Sequence, residues 1–217
     1  GFMMSNVIRV WDPLVRIFHW SLVLAFVVAY LSGDEENSVH IYSGYVVAGL
    51  IAFRLIWGIT GTRYARFRNF MYSPRAVIGY LKGLLAGRPK HYIGHNPAGG
   101  WMIMVLLLTL AVVTVSGLKV YAIEEGLGPL AGDTSSVSLI SQAHADSDDD
   151  DDHGKHKKGD HEDDEEEFWE EIHEASSNFM LLLIVLHVAG VVVAGRLHGE
   201  SLVKAMITGK KRGITES

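Results

Sequence analysis

The sequence predicts an all-α fold, an integral membrane four-helix bundle, on three observations. Four stretches, at about residues 13–32, 39–60, 98–121 and 176–197, are apolar over the roughly 20 residues that a helix needs to cross about 30 Å of hydrocarbon. The charges between them separate by sign from one connection to the next. Four histidines, His19, His40, His173 and His187, lie in these stretches or at their ends, where an ionisable side chain is costly and needs a reason.

In chain order, the first span carries Arg16 and His19 and the second His40 and Arg54. The third has no charge over residues 101–118, and in residues 175–195 of the fourth the only ionisable group is His187. The segment before the first span lacks the basic region, short apolar run and small-residue cleavage site of a secretory signal, so the first span is expected to be the insertion signal. A net charge of −6 hides the distribution that matters. Residues 59–100 hold seven Lys or Arg and no Asp or Glu, and the tail from Arg196 is also basic. The positive-inside rule makes both cytoplasmic, with both termini inside. Asp34, Glu35 and Glu36 and the acidic connection 122–174 fall on the other side.

Two connections have character of their own. Ser73 can cap a helix with Pro74 at its first position, and Gly87 and Pro89 can stop it. Val77, Ile78, Leu81, Leu84 and Leu85 share helical spacing, which reads as a short amphipathic helix on the cytoplasmic surface. Residues 146–171 are almost wholly charged, cannot bury a core, and are expected to be a disordered insert in an otherwise single membrane domain. Its His153, His156 and His161 stand among carboxylates, a composition that favours a solvated loop over a defined metal site.

The four histidines form pairs by depth. His173 and His187 are 14 residues apart, about 21 Å of helix rise and nearly four turns, so both face one side of the fourth helix. His40 opens the second span at the level of His173, while His19 lies about 20 Å below the outer end of the first span, at the level of His187. Two stacked bis-histidine sites result, the arrangement that holds two b haems and closes both axial positions in favour of electron transfer. The chain has no cysteine, which excludes thioether attachment, iron–sulfur clusters and disulfides, so these haems are held non-covalently. Arg54, 14 residues after His40, and Arg16, one turn before His19, are suited to the haem carboxylates, with snorkelling to headgroups as the plainer alternative. Gly44 and Gly190, each about one turn from a histidine, leave room for a flat macrocycle or a close helix contact.

Several motifs also resemble those of the bacterial cytochrome b561 group, which includes the b-type cytochrome subunits of nickel–iron hydrogenases. They are Val10-Trp11-Asp12-Pro13 with Arg16-Ile17-Phe18-His19-Trp20, Arg54-Leu55-Ile56-Trp57-Gly58, Tyr64-Ala65-Arg66-Phe67, Gly94-His95-Asn96-Pro97-Ala98-Gly99-Gly100, Leu186-His187-Val188 and Met206-Ile207-Thr208-Gly209-Lys210. The resemblance implies two b haems ligated from the first, second and fourth helices, with His19 paired to His187 and His40 to His173. It also implies a quinone-linked carrier in the bacterial inner membrane. His95 and Asn96 are then expected at the quinone, although Asn96-Pro97 also has the form of a helix cap. The acidic insert is longer and more charged than the family pattern.

The leading function is a diheme cytochrome passing electrons between a periplasmic partner, a c-type cytochrome or an oxidoreductase subunit, and the membrane quinone. A superoxide oxidase that reduces quinone ranks lower, because superoxide is an anion and the outer connections are rich in carboxylates. A non-redox, cation-binding membrane adaptor ranks below both, since it leaves the paired histidines unexplained. Nothing in the charge pattern suggests nucleic acid as a partner.

Overall fold

The computed structural model describes residues 7–33, 38–132 and 156–212. Its elements are a strand β1 (Val7–Arg9), helices α1 (Pro13–Leu31), α2 (Ser38–Thr60), α3 (Pro74–Leu85), α4 (Pro97–Glu125), α5 (His156–His198) and α6 (Leu202–Thr208), and a strand β2 (Lys210–Arg212). Four of these, α1, α2, α4 and α5, are long and apolar enough to cross a membrane, and the fold is a helical membrane architecture as expected.

Helix boundaries follow from side-chain chemistry. Asp12 caps α1 by accepting from the Val15 amide at 2.9 Å, and Pro13, which has no amide to satisfy, takes the first helical position. Asn96 does the same for α4, accepting from the Gly99 amide at 2.7 Å ahead of Pro97. Ser73 and Pro74 begin α3 as the sequence indicates. On α3 only Tyr80 is buried, and Ile78, Leu81 and Leu85 remain exposed as the apolar face of an amphipathic helix. α5 ends in a Schellman motif: Gly199 adopts φ +63°, the Gly199 amide donates to the Arg196 carbonyl, and the Glu200 amide reaches back to the Gly195 carbonyl at 2.9 Å.

One boundary departs from the expectation. α5 runs 43 residues, about twice the length a bilayer requires, and takes in residues 156–171 of the acidic segment. Glu is a good helix former, and a helix already propagating from an apolar span adds one hydrogen bond per residue without a new nucleus. Residues 146–155, including His153, lie outside the described residues.

The chain forms two compact units, Gly1–Leu110 with Phe179–Ser217, and Ala111–Asn178. In the first, Ala25, Phe26, Val47, Ile51, Leu110 and Met180 make a core contributed by four helices. A second cluster joins Val10, Trp11 and Ala205 with Tyr64, Ile93 and Met206. There β1 pairs antiparallel with β2, Val7 opposite Arg212 and Arg9 opposite Lys210, and the Gly209 carbonyl accepts from both Val10 and Trp11. The second unit sets the C-terminal half of α4 with the N-terminal half of α5.

Candidate functional site

In the first unit α1 presents His19 and α5 presents His187, and the two imidazoles lie close enough to interact electrostatically. His19 meets Trp20 edge-on at 4.9 Å, and its Nδ1 is buried with no hydrogen-bond partner among the described residues. Arg54 on α2 is only 3% exposed. Its guanidinium stacks over the Phe67 ring at 4.7 Å, and Nη1 has no acceptor among the described residues. Gly58 makes that stacking possible, because a Cβ there would stand 2.1 Å from the Phe67 ring. The Nε of Arg16, also buried, likewise lacks a partner among the described residues.

Asp12 ties the ends of α1 and α2 together. Besides capping α1, its carboxylate accepts from Trp57 Nε1 at 3.3 Å and from the Thr62 hydroxyl. Burial pushes its pKa up, but the hydrogen bonds from Thr62, Val15, Trp57 and Leu14 outweigh that and hold it below the ordinary aspartate range.

The other two histidines share one device. His40 sets Nδ1 2.8 Å from the Ala29 carbonyl, and in the second unit His173 sets Nδ1 2.8 Å from the Val113 carbonyl and 3.2 Å from Ser116 Oγ. A carbonyl only accepts, so Nδ1 carries the proton and a neutral ring has its lone pair on Nε2. Metal-ligating histidines are commonly oriented in this way. Gly117 makes room for the His173 ring, since a Cβ there would lie 2.8 Å from Cε1. Neither Ser116 nor Gly117 stood out in the sequence, because the third span supplies no ligand; a Ser-Gly pair inside an uncharged apolar run was the available signal.

His95 is held between the Trp11 and Phe70 rings, at 4.4 and 4.5 Å between centroids, and its carbonyl accepts from Tyr72. It lines a cavity of about 200 Å³ with Arg63, Tyr64, Asn69, Phe70, Tyr72 and Gly94. Burial, and then the neighbouring Tyr92, raise the Tyr72 phenol above its ordinary range, so it stays a neutral donor. Asn96 is absent from that lining, its side-chain oxygen being engaged as the α4 cap. Arg63, Asn69 and Tyr72 are the functional candidates the sequence did not single out.

The described residues fit haem at the level of donors. Arg16 Nε, Arg54 Nη1 and His19 Nδ1 are buried without hydrogen-bond partners among them, the His40 and His173 rings are oriented through Nδ1, and a Cβ on Gly44 or Gly190 would meet no described atom within 4 Å. A helical membrane protein with half-buried histidines on its spans and a buried arginine beside them has the features of a membrane cytochrome. Residues 10–209 match the model for prokaryotic cytochrome b561, and the chain belongs to that family of b-type membrane cytochromes. It is 28% identical over 154 residues to a probable Ni/Fe-hydrogenase B-type cytochrome subunit of Azotobacter vinelandii, covering 57% of this chain and 62% of that one. A protein of the same description from Cupriavidus necator is 26% identical over 140 residues, 52% of this chain and 57% of the relative. The matched regions thus span about three-fifths of those relatives. No solved structure matches the chain.

Proposed function

We propose that the chain is a diheme membrane cytochrome that passes electrons between the membrane quinone pool and a periplasmic redox partner, with His19 and His187 ligating one haem and His40 and His173 the other. The approach of the His19 and His187 imidazoles from different helices, in a unit that also buries Arg54, carries this reading. A bis-histidine haem supplies reversible one-electron chemistry with both axial positions closed. The residues of the chain bind and orient. Ala29 and Val113 fix the His40 and His173 tautomers through Nδ1, and Arg54 and Arg16 are placed to hold carboxylate side arms. The second pairing is supported by register, His173 standing 14 residues before His187 and His40 at the start of its span.

The 200 Å³ cavity beside His95 is the proposed seat for a quinone head group, with the neutral Tyr72 phenol, Asn69 and Arg63 as polar partners and Phe70 and Tyr64 as apolar walls. Asn96 then acts by positioning the start of α4. The basic connections support a cytoplasmic side of the inner membrane for this cavity and both termini. On the other side the acidic N-terminal part of α5 favours a cationic c-type cytochrome as partner, whereas the relatives' names favour a hydrogenase-like oxidoreductase subunit.

Haem quantified per purified chain is expected at two, extractable into acidified organic solvent. Spectra of His19→Ala and His187→Ala should match each other and differ from those of His40→Ala and His173→Ala. A ratio near one, or His19→Ala matching His40→Ala, refutes the pairing.

A further inference from the structure

Beyond the residues already assigned, the first unit contains a compact cluster of titratable groups. The Schellman end of α5 turns Glu200 inward, its side chain 10% exposed, with Oε1 3.5 Å from Nε2 of the more exposed His91. His198 packs against His91 at 5.3 Å between ring centroids, its Nδ1 donating to the Ala194 carbonyl at 2.7 Å and its Nε2 facing the Lys90 carbonyl at 3.4 Å. The Nδ1 of His91 is buried without a hydrogen-bond partner among the described residues. Behind Glu200 lies a cavity of about 20 Å³ lined by Tyr92, Gly94, Asn96 and His198 among others, enough for about one water. Gly94 also borders the 200 Å³ cavity of His95 and Tyr72.

A purely structural clasp has no need of a carboxylate in this position, since a buried ion pair is no more stable than apolar packing of the same volume. We propose that His91 and Glu200, with the water-sized cavity behind them, form a proton path between solvent and the cavity of His95. The inference rests on the quinone reading of that cavity. Oxidation of a hydroquinone there breaks two O–H bonds and yields a quinone, two electrons and two protons. Bound haem would supply the one-electron acceptors, two ferric equivalents taking the two electrons, and the protons would leave through Glu200 to His91 and solvent; quinone reduction would run the same path inward. Among the described residues, the titratable and charged groups near Glu200 include His91, with His198 and Tyr92 lining the same small cavity and the Lys90 ammonium over the Tyr92 ring at 6.0 Å.

The test uses haem-loaded full-length protein with duroquinol as reductant, comparing wild type with Glu200→Gln, which keeps the hydrogen-bonding shape but carries no exchangeable carboxyl proton, and Glu200→Asp. Expected are a tenfold or greater slowing of haem reduction in E200Q, a flattened pH profile and partial recovery in E200D. Thermal unfolding and dithionite-reduced spectra should match wild type, and a redox-linked carboxylic-acid band in infrared difference spectra should disappear from E200Q. Wild-type rates and pH profile in E200Q, or the infrared band retained, overturn the relay while leaving the quinone reading intact. A slowing matched by a lower unfolding temperature and uniform across pH also overturns it in favour of a clasp. Failure of duroquinol to reduce the wild type overturns both.

Discussion

Gly117 and Asp12 show how single positions set the geometry around the candidate ligands. A methyl on Gly117 must displace the His173 ring, because the 2.8 Å approach to Cε1 is closer than carbon atoms tolerate. Gly117→Ala is therefore expected to weaken one haem site and Gly117→Val to abolish it, read as loss of one of two haems with the spectrum of His173→Ala. An unchanged haem content in Gly117→Val would show that His173 is not a ligand. Asp12→Ala removes a helix cap worth about 1 kcal/mol and also strands the Trp57 and Thr62 donors, so the unfolding temperature should fall by several degrees. Because the folded Asp12 pKa lies below its unfolded value, the stability it contributes is present above the ordinary aspartate value and is lost as pH falls through the lower folded one. Asp12→Asn should thus narrow its stability gap to wild type on acidification below about pH 4. A gap constant with pH would mean that the carboxylate charge contributes nothing.

α5 runs from an acidic N-terminal portion into an apolar span, and the N-terminal portion carries the clearer prediction. Asp163, Asp164, Glu165, Glu167, Glu170, Glu171 and Glu174 are exposed along it, as is Phe168, while Lys119 sits 5.9 Å over the half-buried Trp169 ring. A helical array of carboxylates holds its charges at fixed spacing and would steer the cationic partner proposed above, screened beyond about 8 Å at physiological salt. Replacing Glu165, Glu167 and Glu171 by Gln should leave haem content unchanged, slow reduction by a basic c-type cytochrome several-fold at low salt, and remove most of the salt dependence. Stopped-flow rates at low and high ionic strength decide this, and identical salt dependence in the variant would make the acidic face an inert surface.

The two ends of the chain are fastened together within the first unit by the Gly209 carbonyl, the β1–β2 ladder and the Val10, Trp11 and Ala205 cluster. Gly209 has φ +78°, and a Cβ there would lie 2.7 Å from the Trp11 carbonyl oxygen. Gly209→Val combines about 1–2 kcal/mol of left-handed strain with that clash, so it should lower the unfolding temperature and also perturb His95, whose ring packs at a tilt against Trp11. Thermal unfolding together with duroquinol reduction tests the link; a destabilised protein with unaltered quinol kinetics would separate the fastening from the His95 cavity.

The four spans, the caps at Ser73 and Asn96, and the amphipathic α3 were legible in the sequence because each depends on local composition over one or a few turns, whereas the Asp12 cap of α1 was not singled out. The pairing of His19 with His187 proposed above rests on the same local arithmetic, since helix rise converts sequence separation into depth. That α5 begins as far out as residue 156 was not legible, because composition rates a charged block as unable to bury a core but does not register that an adjoining helix can continue through it. The partners at the candidate sites had no such local signal. Ala29 and Val113 contribute backbone carbonyls, which any residue type could supply, and Ser116, Gly117, Phe67 and Glu200 matter through the atom they meet across many positions of chain. Hydrogen bonds and close approaches between distant segments depend on how helices are set against one another, and that is decided by packing in three dimensions.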